Sequence, residues 1–551
     1  MDELDALLDS LIEQRKAPEA SYIDSNHEKT LKIEQVPGKG QGVFAKQFLS
    51  VKDPICSLPC PTMMAIDSDF LHTTCYHCLV VSESPLPIPG YGHASVQLKI
   101  CNGCHAARFC SRSCQVDAWH AYHKYECKIF KKVQNNLPPA ILRAVLRAVL
   151  LKDRDRLPSD EWGRITQLTS HEQILAARGR SNLTDMAEGI KHLAASSMAV
   201  EMIQRLIFIM KSNATELPTP IQGGIGVMLE PLVAKFNHSC EPNLAVHRPQ
   251  HTMTGGWMTS TQLSDDQRRT FIRVIPLRDI QPDEELFNCY IVPTAAVSAR
   301  RAKLMEDYFF TCNCPKCLAD IKAAADLAAE QPRLPDQFDK WTESVARHLS
   351  PEKRSLEAFR RAATAMDKSD RFLDHPSLYT TGKFPDMAMR LILEALKYQA
   401  LDEALVNVLR VFFLVNPSRF VGRHNPTHIY TVFLMLDIFD VLLGLSTSAA
   451  IASDKVDKAL QNLSTRGLGR GEVMYWRRRF CADLRTRVEA SALTDLLVLV
   501  QQREKQAEQK TADQESLSGE EGLKERAEEG MRAVLKLNEQ TWQNVLKETG
   551  C

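Results

Sequence analysis

Eleven of the sixteen cysteines, seven in one group and four in another, stand at spacings that suit metal ligation, and one of these groups lies beside a run of polar residues. That run is Asn237-His238-Ser239-Cys240-Glu241-Pro242-Asn243, followed about seventy residues later by Cys312-x-Cys314-x2-Cys317. Asn and His suit a polar ligand. Cys240 with the later triplet gives four thiolates, the complement of a closed tetrahedral zinc site, and such a site pins two distant segments into one wall. Taken alone, Asn-His-Ser-Cys is an ordinary turn; the triplet gives it meaning. The other group reads Cys75-x2-Cys78, Cys101-x2-Cys104, Cys110-x3-Cys114 and His123-x3-Cys127. Eight ligands in four close pairs make two tetrahedral sites, each drawing its halves from pairs far apart in sequence. His77, His105 and His120 compete with His123 on paper. Cys56, Cys60, Cys289, Cys481 and Cys551 are scattered and read as reduced thiols.

Other segments must position these residues. Lys32 to Val36 is strand-like and runs into Gly38-Lys39-Gly40-Gln41-Gly42-Val43-Phe44-Ala45. A glycine-rich turn of this kind is a hairpin by default, and it carries neither a Walker nor a dinucleotide fingerprint. Thr270 to Leu277 is β-branched and strand-like. An acidic turn with Glu284 and Glu285, read as solvated charges, then leads into Phe287-Asn288-Cys289-Tyr290.

In this order the motifs resemble the SET-domain lysine methyltransferases. The cysteine-rich region, with Ala118-Trp119 and His123-Lys124-Tyr125-Glu126-Cys127, resembles a MYND zinc finger inserted as in the SET and MYND domain family. The resemblance spans roughly residues 30 to 320 and implies interleaved finger sites. One zinc takes Cys75, Cys78, Cys110 and Cys114; the other takes Cys101, Cys104, His123 and Cys127. With Cys240, Cys312, Cys314 and Cys317, three zinc ions are implied. The long Cys78 to Cys101 gap, with Pro85, Pro87, Pro89 and Gly90, departs from the family pattern and is read as a surface loop.

The resemblance also implies S-adenosylmethionine as methyl donor, held by Lys39, Gly40, Gln41, Asn213, Asn237, His238, Tyr290 and Phe310. Gln41 stands where many relatives carry Arg. Tyr308 falls in the lysine channel and Tyr290 at the catalytic position. The task there is specific: lysine, with a reference pKa near 10.4, must be deprotonated before it can attack, a deficit of about 4 to 5 kcal/mol at neutral pH. An apolar channel and an approaching sulfonium both disfavour the ammonium. Aligning the neutral amine with the methyl group supplies the rest, with no covalent intermediate.

The expected fold class is multi-domain α+β. Residues 1–29 form an N-terminal helix, with Leu4, Leu7, Leu8, Leu11 and Ile12 at helical spacing; 30–74 begin the SET domain, 75–127 are the finger, and 128–219 a helical insert in which His171 and His192 are ordinary helix residues. The SET core with Tyr290 spans 220–292, the cysteine-rich post-SET segment 293–320, and an all-helical C-terminal domain 321–551, with a solvated charged stretch at 502–530 ahead of a last helix containing Trp542. In that domain Tyr475-Trp476-Arg477-Arg478-Arg479-Phe480 reads as a solvated basic turn. The apolar stretch Tyr430 to Leu445 holds Asp437 and Asp440 and so reads as a core helix rather than a span.

Lys+Arg and Asp+Glu both total 68, so no global positive field argues for nucleic-acid binding. The N-terminus lacks a secretory pattern, which sets the expectation of a cytoplasmic or nuclear protein that is not held in a membrane. The leading functional expectation is methylation of lysines on histone or other proteins, with peptide partners for the finger. The rival is a non-catalytic zinc-finger adaptor or transcriptional co-regulator whose SET fold is vestigial.

Overall fold

The computed structural model describes residues 27–82, 97–133, 136–177, 182–217, 224–248, 272–291, 296–349 and, with breaks, 355–549; 506–519 is the longest of those breaks. The expected N-terminal helix, most of the finger's long loop, Cys551 and the middle of the charged stretch therefore lie outside the described residues.

Short strands build the N-terminal half. β1 (Leu31–Val36) and β2 (Gly40–Ala45) form an antiparallel hairpin in register Leu31↔Ala45 to Val36↔Gly40. Its turn closes with Lys39 N–H donating to Val36 O at 3.0 Å, and Gly38 and Gly40 hold φ of 75° and 78°, where a side chain is strained. β3 (Cys56–Leu58) lies at the edge of a sheet ordered β10-β11-β3, with β10 at Leu244–His247 and β11 at Ile272–Pro276. β4 (Met63–Ile66) is wholly buried and pairs with β8 (Gly226–Leu229), which also pairs with β7 (Thr215–Glu216).

The finger sits between β4 and the helices that follow. A small hairpin, β5 (Lys99–Ile100) with β6 (Arg108–Phe109), precedes the helix Arg112–Ala118, which starts where the Ser111 hydroxyl accepts from Cys114 N–H at 3.1 Å. That helix continues through a π-helical stretch, Trp119–His123, into Lys124–Val133. The widened turn brings His123 wholly indoors, one turn from Cys127.

Helices Ala140–Lys152, Ser159–Thr166, Glu172–Ala177, Asn182–Ala194 and Val200–Asn213 form the insert. The first packs on β4, and its buried Arg143 donates to Ile66 O at 2.5 Å and Pro138 O at 2.8 Å.

Beyond the cysteine triplet the described elements are helical. Pro426–Leu442 begins with Asn425 accepting from Thr427 N–H at 2.9 Å and Pro426 in the first turn, and it is buried on every side. Its Asp440 meets Arg477 at 2.8 Å and Arg503 at 2.9 Å, while Asp437 pairs with Arg503, so the two acids are neutralised inside a helical core. Among the described residues no helix is long and apolar enough to cross a membrane.

Two expectations for this half need correcting. Arg477 is not solvated: it is buried in the helix Arg470–Glu489 and paired with Asp440, because alternate faces of that turn point into the core. Nor is the whole of 502–530 a solvated stretch, since the helix Glu520–Leu535 buries Ala527, Met531, Val534 and Leu535 against its neighbours.

Candidate active site and metal centres

Two short strands 50 residues apart explain how the polar motifs meet. β9 (Asn237–His238) pairs in parallel with β12 (Phe287–Asn288), in register Phe287↔Asn237 and Asn288↔His238. The pairing sets Tyr290 beside His238: Tyr290 N–H donates to His238 Nδ1 at 3.0 Å, and the two rings lie 5.2 Å apart. The other ring nitrogen, Nε2, stands 3.3 Å from Cys240 Sγ. One tautomer satisfies both contacts, with Nδ1 accepting and Nε2–H donating toward the sulfur. Both nitrogens are thus engaged, and the His238 ring is wedged between Tyr290 and Phe310, the latter 5.9 Å away.

Asn237 joins the hairpin to the acidic turn. Its Nδ2 donates to Gln41 O at 3.2 Å and to Glu285 Oε1 at 2.8 Å, while Lys39 Nζ lies 3.5 Å from Glu285 Oε2. A Cβ at Gly42 would stand 2.8 Å from Glu285 Oε1 and 3.0 Å from Asn237 Nδ2, so glycine is what lets the hairpin close on this pair. Glu284 receives Asn243 Nδ2 at 3.1 Å, Gln281 N–H at 3.0 Å and Arg278. Burial opposes its ionisation, but the bonds from Arg278, Gln281 and Asn243 hold the carboxyl below its usual value. The two glutamates are therefore clamps that fix the turn before Tyr290, not the solvated charges the sequence suggested.

The Tyr290 hydroxyl donates to Phe236 O at 2.7 Å, and its ring lies 4.8 Å from that of Tyr308. Burial, with Tyr308 and Glu285 adding to it, pushes the Tyr290 phenol above its usual range, and burial pushes Tyr308 up to about 12. Both are neutral hydroxyls at physiological pH.

All of the candidate pocket residues line one cleft of ≈ 2310 Å³: Lys39, Gly40, Gln41, Asn213, Asn237, His238, Tyr290, Tyr308 and Phe310. Cavities for a single small ligand run to about 1,000 Å³, so this one has room for a cofactor and a length of peptide. Asn213 ends the helix Val200–Asn213 and donates to Thr169 O at 2.7 Å and Ile209 O at 2.9 Å, which uses both amide hydrogens and leaves its oxygen as its free hydrogen-bonding atom.

His171 is a residue that sequence reasoning missed. It precedes the helix Glu172–Ala177 with a left-handed backbone (φ 49°), lines the cleft, and packs at 5.1 Å on Phe309, itself at φ 64°. Two non-glycine residues held in that region and touching each other mark a constrained wall. Helical periodicity carries no signal for it, since the residue lies just outside the helix.

The metal centres follow the interleaved assignment: Cys75, Cys78, Cys110 and Cys114 gather in one cluster, Cys101, Cys104, His123 and Cys127 in a second, and Cys240, Cys312, Cys314 and Cys317 in a third. Within each cluster the ligand atoms all lie within 4.8 Å of one another. Sulfur separations of 3.5 Å (Cys78 to Cys110), 3.8 Å (Cys101 to Cys127) and 3.6 Å (Cys240 to Cys317) are far beyond a disulfide and near the edge, about 3.8 Å, of a tetrahedron with Zn–S bonds of about 2.3 Å. Four soft ligands at each fit zinc with no open position. Of the four competing histidines it is His123 that gathers with Cys101, Cys104 and Cys127, while His77 bonds the Tyr122 hydroxyl at 3.2 Å.

Glu126 and Arg147 were also illegible from sequence. Glu126, nearly fully buried, lies 3.7 Å from His123 Nδ1 and accepts from Tyr76 Oη at 3.0 Å and Arg147 Nε at 2.6 Å. Burial alone would raise this carboxyl; Arg147 and His123 hold it at about 2. At 3.7 Å this carboxylate is too far from Nδ1 for a hydrogen bond and stands behind the histidine as a buried negative charge.

Residues 75–127 match the family model described as MYND finger. The chain is 27% identical over 261 residues to "SET domain and MYND-type zinc finger protein 6" of Schizosaccharomyces pombe, covering 47% of this chain and 46% of that one. It is 24% identical over 335 residues to the human "N-lysine methyltransferase SMYD2" (59% of this chain, 68% of that one), and 26% identical over 245 residues to the human "Histone-lysine N-methyltransferase SMYD3" (43% and 52%). The matched regions thus span about half the length of the yeast and SMYD3 relatives and about two thirds of SMYD2. A solved structure titled "Crystal structure of the SET domain of LSMT bound to Lysine and AdoHcy" aligns with 90% of this chain and 93% of that one at 12% identity, but with a TM-score of only 0.28.

What the fold and the site define is a multi-domain α+β protein, with a zinc finger set into its strand framework and a cysteine-pinned wall along its cleft. The finger match and these relatives make the chain similar to SET and MYND domain proteins, among them named lysine methyltransferases.

Proposed function

We propose that the chain is an S-adenosylmethionine-dependent protein-lysine N-methyltransferase, with Tyr290 as its catalytic residue. The observation that carries this reading is the convergence, on one cleft wall, of Asn237, His238, Tyr290, Tyr308 and Phe310 from segments separated by some seventy residues. The hairpin tip suits a cofactor: among the described residues nothing lies within 4 Å of where a Cβ would stand at Gly38 or Gly40, and both glycines line the cleft. Lys39, Gly40, Gln41, Asn237, His238, Tyr290, Phe310 and the Asn213 oxygen are the groups assigned to hold the methyl donor, whose sulfonium, when bound, supplies an electrophilic methyl group.

Tyr290 has a defined part. Its proton is given to Phe236 O, so the oxygen has only lone pairs to offer the cleft. It accepts an N–H of the substrate amine and thereby aims the nitrogen lone pair. The aromatic walls of Tyr290 and Tyr308, with no described carboxylate between them, disfavour the ammonium and supply part of the deprotonation that lysine needs. Alignment and desolvation then carry the transfer.

The domain limits stated from sequence are part of the same reading, as is a peptide partner for the finger, which exposes Val116 and Trp119 three residues apart. The test is labelled methyl transfer to cell-extract proteins by wild type and Tyr290→Phe, with mass spectrometry of the labelled lysines. Tyr290→Phe should lose about 10²-fold or more in turnover and keep cofactor affinity. Unchanged turnover sinks the role of Tyr290, and a wild-type chain that neither binds the cofactor nor labels any protein favours the adaptor.

A further inference from the structure

A zinc ion with four thiolates carries a net charge of −2, and the third cluster is largely buried: Cys240 and Cys317 are fully enclosed and Cys312 nearly so. Charge in such a place needs a counter-charge. Arg300, 1% exposed, supplies one: its Nη2 lies 3.6 Å from Cys317 Sγ and 2.7 Å from Asp320 Oδ2. Asp320 is in turn 3.4 Å from Lys316. The next residue, Arg301, grips the cysteine hairpin by its backbone, Nε donating to Cys312 O at 2.8 Å and Nη2 to the Asn313 side chain.

The helix that carries both arginines, Val297–Asp307, runs directly into Tyr308, Phe309 and Phe310, and Cys312 follows two residues later. The aromatic wall is therefore strung between a helix and a zinc ligand, and Arg300 ties one to the other. We infer that Arg300 is a positioning residue: it donates to the Cys317 thiolate, offsets the charge of the third zinc centre, and through it fixes Tyr308 and Phe310 against the cleft. Its effect on zinc stands on the geometry alone, whereas its effect on catalysis rests on the proposed function. Both contacts run from the one nitrogen Nη2, held in the guanidinium plane; a lysine would keep the charge but lose that fixed geometry.

The test uses the full chain as wild type, Arg300→Gln, Arg300→Lys and Asp320→Asn, with zinc release followed by a chromogenic chelator. In Arg300→Gln one of three ions should be held about 10- to 100-fold less tightly while the finger's two are unchanged, the usual cost of losing an outer-shell partner. Arg300→Lys should fall between, and Asp320→Asn, which frees the guanidinium without removing it, should shift the same ion by less. Circular dichroism reports whether Arg300→Gln folds; if it does not, Asp320→Asn decides. Wild-type zinc release in every variant that folds overturns the inference.

In methyl-transfer assays Arg300→Gln should raise KM for the methyl donor about tenfold and change kcat less, with partial rescue in the lysine variant. A fall in kcat at constant KM overturns the positioning role. Absence of any transfer by wild type defeats the proposed function, and the zinc measurements still decide on Arg300.

Discussion

At the scale of single residues, Tyr290 is legible in the sequence because its neighbours are: the acidic turn precedes it at a fixed distance and the Asn237-His238 motif announces its partner. What the sequence could not give was the direction of its hydroxyl. A phenol that donates to Phe236 O and is buried beside Tyr308 resists ionisation, so its pKa lies above the usual value near 10. The sign follows: the neutral form, which keeps the bond to Phe236, persists as pH rises, and only ionisation would break it. The pH profile of kcat/KM should therefore rise as substrate lysine loses its proton and show no falling limb below about pH 10. A decline with an apparent pKa of about 8 to 9 would contradict a neutral Tyr290 as the working form. Arg300 and His171 stayed hidden for a different reason. Neither has a partner at a characteristic spacing, since Arg300 meets Cys317 and His171 meets Phe309 only through space.

At the scale of elements, the finger's ligand pairs could be read from spacing because a tetrahedral ion demands them, whereas its docking could not. Arg147 stands in a Leu- and Ala-rich helix where an arginine reads as a solvated face, yet it is buried, bonded to Glu126 and stacked 3.8 Å over the Tyr122 ring. Arg248, beyond β10, donates to Cys78 O at 2.5 Å from the other side. The finger is thus anchored between the insert and the strand core rather than hung on a tether. Arg147→Met should destabilise the chain by about 3 to 5 kcal/mol, because Glu126 is left charged and buried without its main partner. Most of that loss should return in the double variant Glu126→Gln, Arg147→Met, which removes the stranded charge. Urea denaturation followed by tryptophan fluorescence measures both, and simple additivity of the two single changes would show that the pair is not coupled.

At the scale of the molecule, helical periodicity made the C-terminal domain visible, but nothing in a period says which face of another domain a helix will meet. The structure answers through one strand. Ile275 of β11 belongs to the same hydrophobic core as the C-terminal helices, while Ala245, its partner on β10, borders that core. His247 of β10 stacks at 6.3 Å on Tyr430 of the helix Pro426–Leu442. The cleft runs from the hairpin and Tyr290 past Ala245, Val246 and His247 to Met389, Leu393 and Tyr430. The end proposed for the cofactor belongs to the strand core and the far end to the C-terminal helices, so the two ends should answer to different substitutions. Tyr430→Ala and Ile275→Ala loosen the far wall, the second by leaving a cavity that costs about 2 to 5 kcal/mol. Both should raise KM for a protein substrate about tenfold while KM for the methyl donor stays within about twofold. Zinc content should not change, since neither residue is a member of a ligand cluster. If the two KM values rose together, the C-terminal helices would be supporting the whole pocket, and the division of the cleft between cofactor and peptide would have to be abandoned.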